Sequence, residues 1–269
     1  MGSYNMQLGG LATILGQYMA LLALSSVRLG TLLIVFPPVG KDVMQGTIRT
    51  GMTMVWSSII AYGQQAQMSQ LHGTFMIAVT IKETIIGLML GYAASIVFWA
   101  AESAGSYIDD LTGYNNVQMS NPSTGDKVSM TSTLLSQFAV AAFWLLGGMG
   151  ILLGAIYESY QWWPLASLTP VPAVIFESFV LHRTDSLMEM TAKLAGPVML
   201  ALMMIDIGFG LVAKVSQKID LSSMSRPVKG LITVLMLALL AAVFVDQVRG
   251  QLALSDFRAQ AKALVPGTK

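Results

Sequence analysis

The chain has 269 residues, 54% of them hydrophobic and only 11% charged, with 15 Lys and Arg set against 14 Asp and Glu and a mean hydropathy of +0.65. A soluble globular domain is about 25% charged, so most of this surface must meet lipid or apolar protein. The net charge of +1 gives no case for nucleic acid, and zero cysteines exclude disulfides, thiolate catalysis and thiolate metal sites.

The opening MGSYNMQLGG has no basic stretch before its apolar run, so residues 11–36 read as a retained span. Arg28 lies inside it, where a lipid-facing guanidinium is costly, and is expected to face protein or water. Pro37-Pro38 ends the helix and Gly40 permits a turn. Residues 49–60 read as a weaker helix, either a short span or one lying against protein, and 63–71 as an uncharged, glutamine-rich link. Residues 75–101 are the second strong span. Lys82 and Glu83 are neighbours near its start, about 100° apart around the helix, and read as a pair snorkelling toward the head groups, with one of the two able to point inward. Gly87 and Gly91 form a GxxxG spacing suited to close helix contact.

Residues 102–126 hold most of the polar density of the first half. They read either as a polar connection between two membrane helices or as an ordered hairpin that lines or plugs a polar passage. The second reading rests on Tyr107, Ile108, Leu111, Tyr114, Val117 and Met119 among the polar residues. Residues 134–157 then read as one span, whose Gly147, Gly148, Gly150 and Gly154 require close packing or a bend. Glu158, Tyr160, Trp162 and Trp163 have the character of a membrane-interface belt, and Pro164, Pro170 and Pro172 break residues 165–181 into a short, interrupted or interfacial helix. Two further apolar runs, 187–212 and 230–245, are joined by 213–229, the densest basic stretch. Lys214, Lys218, Arg226 and Lys229 place that join on the cytoplasmic side, although Arg249, Arg258, Lys262 and Lys269 form a second basic cluster that would fall opposite.

Asp206 lies between the apolar runs MLALMMI and IGFGLV. An intramembrane carboxylate serves as a proton relay, a cation ligand or the partner of a buried base. A structural ion pair across helices is the alternative, with Arg28 and Lys82 as candidate partners. Catalysis has little support: there is no HExxH, GxSxG, Walker loop or dinucleotide fingerprint, and His72 and His182 are isolated. Asp109-Asp110 reads as a solvated pair. No catalytic, cofactor or metal site is expected.

Several stretches together resemble the T subunit of the type III secretion export apparatus, the SctT family with its flagellar relative FliR. They are PPVG at 37–40 followed by Arg49, KETIIGLMLG at 82–91, AESAGSYIDDLTG at 101–113 with NPSTGD at 121–126, and DIGFGLVAKVSQKIDLSSMSRPVKG at 206–230. The resemblance covers nearly the whole chain and favours the virulence injectisome branch.

It implies an all-α integral membrane protein of the bacterial inner membrane, an R-type unit at 1–184 fused to an S-type helical hairpin at 185–269. It also implies a non-enzymatic subunit of an export gate for unfolded secreted proteins, assembled with R-like and S-like subunits and contacted by a U-like subunit. By the same resemblance, Lys214, Lys218, Arg226 and Lys229 belong to the gate entrance, and Gly105, Ile108, Asp109 and Tyr114 to a constriction or its packing. Arg28, Lys82, Glu83 and Asp206 become inter-helical polar contacts. The competing readings are an ion-coupled secondary transporter built on Asp206 and a purely structural membrane protein.

Overall fold

The computed structural model describes residues 2–40, 43–64, 73–113, 119–120, 127–167, 173–215 and 222–252. It is almost entirely helical: α1 (Gly2–Val35), a 3-10 turn (Pro37–Val39), α2 (Gly46–Gly63), α3 (Thr74–Thr112), α4 (Met130–Leu145), α5 (Gly148–Trp162), α6 (Ala173–Val215) and α7 (Ser222–Leu252). A two-residue antiparallel ladder, β1 (Met119–Ser120) with β2 (Lys127–Val128), pairs Met119 with Val128. Ile14–Val35, Phe75–Thr112 and Phe179–Val215 are long and apolar enough to cross a membrane, and Met130–Leu145 with Gly148–Trp162 qualifies as one broken span.

Helix ends follow local chemistry. Phe36 is extended ahead of Pro37-Pro38, because the proline ring disfavours helical backbone in the residue before it. Gly40 N–H then closes the 3-10 turn on Pro37 O at 2.9 Å. Ser129 caps α4 by accepting from Ser132 N–H at 3.3 Å. Gly113 ends α3 in the left-handed region, φ +79°, with its N–H on Asp109 O at 3.1 Å.

Four expectations change. The polar stretch at 102–126 begins as helix, since α3 runs on to Thr112. The apolar run at 134–157 is two helices: Leu146 ends the first, and Gly147 takes φ +69° before Gly148 starts the second. The segments at 165–181 and 187–212 are not separate helices beyond residue 172. α6 is continuous from Ala173 and passes through Pro197, giving up one backbone bond while flanking turns hold the helix. The basic join is shorter than expected, because α7 starts at Ser222 and takes in Arg226, Pro227 and Lys229.

The chain divides into two compact units. The first comprises the described residues of 2–95 and 150–178. Its core joins Leu21, Leu29, Leu32 and Leu33 of α1 to Val79, Ile86 and Leu90 of α3 and to Leu152 and Ile156 of α5, all buried. Both glycines of the GxxxG spacing face α1: a Cβ on Gly87 would lie 2.5 Å from Arg28 O, and one on Gly91 would lie 3.1 Å from Leu32 O. α2 packs on α1, where Ser25 Oγ donates to Ser57 O at 3.3 Å.

The second unit comprises the described residues of 96–149 and 179–252. Ala101, Ala104 and Ile108 of α3 are buried, as are Leu135, Ala139 and Phe143 of α4, and Phe98 meets Phe143 edge-on at 5.9 Å between centroids. Between exposed Leu181, Met188 and Leu200, α6 is buried at Phe179, Met190, Leu194, Val198 and Leu202. Beyond that point Met203, Met204, Ile207, Leu211 and Val215 are exposed, as are Leu231, Val234, Leu235 and Leu239 of α7. An apolar face this long requires lipid or protein cover.

Gly87→Ala is expected to destabilise the chain by about 1–3 kcal/mol, because its methyl group would enter the α1 backbone. Gly51→Ala, in an open helical position, is expected to be neutral or to stabilise by up to about 1 kcal/mol. Denaturant unfolding of the two variants in detergent, compared with the parent chain, measures the difference.

Candidate functional site

Two groups of buried polar side chains, one in each unit, account for most of the residues singled out from the sequence. In the first unit, Glu83 is fully buried and accepts from Arg28 at both carboxylate oxygens, Nε to Oε2 at 2.7 Å and Nη2 to Oε1 at 2.9 Å. This bidentate fork offsets the desolvation of two buried charges through paired, charge-assisted bonds. Arg28 also donates through Nη1 to Ser159 Oγ at 2.7 Å and through Nη2 to Trp163 O at 2.9 Å, and its guanidinium lies 3.7 Å from the centroid of the Tyr160 ring. Tyr160 returns a hydrogen bond from its hydroxyl to Ser25 O at 3.0 Å.

Lys82 does not reach toward head groups. Its side chain is buried and its ammonium lies 3.0 Å from Glu83 Oε1. Successive helical residues point in different directions, but the four-carbon stem of lysine bridges that angle, so both members of the pair face protein. The ammonium also donates to Pro164 O at 2.7 Å, Leu165 O at 3.2 Å and Ser167 O at 2.9 Å. Of the belt-like aromatic stretch, Glu158 and Trp162 are half-buried, while Tyr160 and Trp163 are likewise buried and serve this network. Their pairing with Arg28 was missed in the sequence, where a Tyr and two Trp beside an apolar run carry the same signal as an interface belt.

In the second unit, Gly105, Ile108 and Asp109 share the buried face of the last turns of α3, whereas Tyr107 is exposed. Gly105 is obligatory in its place: a Cβ there would lie 2.5 Å from Ser132 N and 2.7 Å from the Thr131 carbonyl carbon. Ser132 Oγ donates to Glu102 O at 2.8 Å across the same contact. Asp109 is buried, not solvated, and accepts from Thr131 N at 2.8 Å and from the Thr131 hydroxyl. Thr131 is in the first turn of α4, where backbone N–H groups lack intrahelical acceptors, so an acid on α3 caps the next helix.

Asp206 and Lys229 form a pair between α6 and α7, with Lys229 Nζ 2.6 Å from Asp206 Oδ1 and 2.9 Å from Leu111 O in the last turn of α3. Neither Arg28 nor Lys82 is the partner of Asp206. Lys229 is buried, while Lys214 and Arg226 are exposed. The four basic residues therefore do not form one equivalent set. Tyr114 and Lys218 lie outside the described residues. Among the described residues, no three His, Cys, Asp or Glu side chains gather to hold a metal ion.

Residues 19–254 match the family described as bacterial export proteins, family 1. The Yop proteins translocation protein T of Yersinia pestis is 27% identical over 208 residues, 77% of this chain and 80% of that protein. The secretion system apparatus protein SsaT of Salmonella typhimurium is 26% identical over 182 residues, 66% of this chain and 68% of its own length. The flagellar biosynthetic protein FliR of Caulobacter vibrioides is 23% identical over 244 residues, 88% and 96% of the two chains.

Glu83→Gln would leave two buried cations without their shared carboxylate, and is expected to lower stability by about 3–5 kcal/mol. Asp109→Ala removes the borrowed cap of α4 and is expected to cost about 1–2 kcal/mol. Unfolding of both variants in detergent, followed by circular dichroism, gives these values, and an unchanged midpoint for Glu83→Gln would contradict the account of its network.

Proposed function

The chain belongs to the bacterial export proteins, family 1, and from that membership we propose that it is a non-enzymatic subunit of the inner-membrane export gate of a type III secretion system, helping to form and close the passage for unfolded secreted proteins. The observation that carries this reading is the family match over residues 19–254, with relatives named for translocation, secretion apparatus and flagellar biosynthesis. The injectisome branch is favoured by the Yersinia and Salmonella secretion proteins among those relatives.

The architecture is compatible with an assembled subunit. The exposed apolar length of α6 and α7 needs cover, which neighbouring R-like and S-like subunits together with membrane lipids would supply. On this reading residues 1–184 are the R-type unit, residues 185–269 are the S-type hairpin, and a U-like subunit contacts the assembly. The 102–126 stretch contributes to closure, with Gly105, Ile108 and Asp109 setting the packing of the helix that leads into it. The gate entrance is carried by Lys214, Lys218 and Arg226. Lys229 is assigned instead to holding α6, α7 and the end of α3 together, since its ammonium is engaged by Asp206 and Leu111. The same pairing gives Asp206 a structural partner.

Native mass spectrometry of the tagged chain, purified gently from its own bacterium, tests the proposal. The expected species is a discrete complex holding one copy of this chain with several small hydrophobic partners. A chain that is monomeric or homo-oligomeric under conditions that preserve other membrane complexes would overturn it. Within an intact complex, replacing Lys214, Lys218 and Arg226 together by Gln is expected to reduce secretion by about tenfold through lost electrostatic attraction, measured by immunoblotting of secreted proteins. Undiminished secretion would remove these residues from the entrance.

A further inference from the structure

The carbonyl oxygens of the turn that follows α5 are turned toward cationic side chains from two other helices. A buried main-chain carbonyl outside a regular helix or strand needs a donor from elsewhere. Here Trp163 O is taken by Arg28, and Pro164 O, Leu165 O and Ser167 O are all taken by the Lys82 ammonium, at 2.9, 2.7, 3.2 and 2.9 Å respectively. Glu83 Oε1 adds a further oxygen 3.0 Å from the ammonium.

An ammonium has three N–H donors, and four oxygens surround this one. The carboxylate is already forked by Arg28, so main-chain carbonyls dominate the surroundings of Lys82. The turn also has bonds that do not involve the lysine: Trp163 N donates to Ser159 O at 2.9 Å, and Ser167 donates to Pro164 O through its N–H at 3.2 Å and its hydroxyl at 3.1 Å. Leu165 is fully buried beneath it.

We propose that the 163–167 turn and Glu83 form a binding site for a primary ammonium ion, occupied in the native chain by its own Lys82. In this role Lys82 is a positioning residue that holds the turn by which the chain leaves α5. Once the lysine is shortened, the cage accepts a free alkylammonium ion. Lys82→Ala removes the atoms of propylammonium beyond Cβ, which makes that ion the matching ligand.

The test is thermal unfolding of the full chain in detergent, followed by the fluorescence of its tryptophans, with and without propylammonium chloride. Lys82→Ala is expected to unfold below the parent chain and to recover by about 3 °C or more as propylammonium saturates the site, while the parent does not move. Tetramethylammonium, which has the charge but no N–H donors, is expected to have no such effect. Lys82→Met, which fills the stem's volume without a donor, is expected to remain low with either ion. If Lys82→Ala accumulates only when propylammonium is present from lysis onward, the site is supported directly. The proposal is overturned if propylammonium fails to raise Lys82→Ala, if tetramethylammonium works equally well, if the parent rises by the same amount, or if Lys82→Ala cannot be recovered even with propylammonium while Lys82→Met folds.

Discussion

Glu83 is the constraint on which the first unit depends. One buried carboxylate is shared by two buried cations, and each cation has a further task that the carboxylate makes affordable. Arg28 reaches Ser159 of α5 and the Trp163 carbonyl just beyond it, and Lys82 gathers the carbonyls that follow. Without the acid, two positive charges would be buried together in a low-dielectric interior, which is among the most costly arrangements a fold can contain. With it, α1, α3 and α5 are joined at a single point by directional bonds that apolar side chains cannot provide.

The second unit solves a similar problem by lending groups between helix ends. The first turn of a helix has spare donors and the last turn has spare acceptors. Asp109, near the end of α3, supplies an acceptor to the start of α4, and Lys229 of α7 supplies a donor to Leu111 O at the end of α3. Gly105 permits this by removing the side chain that would otherwise hold α3 away from residues 131 and 132. Polar capping and close approach are therefore coupled, since a bulkier residue at 105 would separate the groups that Asp109 must bridge. Around the Asp206–Lys229 pair, the described outer lengths of α6 and α7 present Leu, Ile, Val and Met, as befits helices whose remaining neighbours are lipid or other chains of an export apparatus.

Much of this was legible in the sequence because it follows from local chemistry. The low charge and long apolar runs specify membrane helices, Pro37-Pro38 ends the first of them, and the Gly87 and Gly91 spacing marks a face for close contact. A guanidinium within an apolar run demands protein or water around it, which is how Arg28 is housed. The family resemblance was legible for a related reason, in that its motifs are continuous stretches of chain. Backbone choices at single residues were harder to read. Gly147 breaks an apolar run that looks continuous, whereas Pro197 does not break α6, and the difference depends on what the surrounding turns can hold rather than on the residue alone.

Sequence by itself determined that this protein is helical, that it is built to be covered by lipid and protein, and that the charges at Arg28 and Asp206, inside apolar runs, require special surroundings. Only the tertiary structure decided who answers whom. Arg28 meets Glu83 across 55 positions and Lys229 meets Leu111 across 118, while Asp206 pairs with a lysine assigned from sequence to a different task. The physical reason is that burial makes a partner necessary without naming it. Charge is a property of each residue, but the choice of partner depends on which helix faces meet and on how far a side chain can reach across the contact.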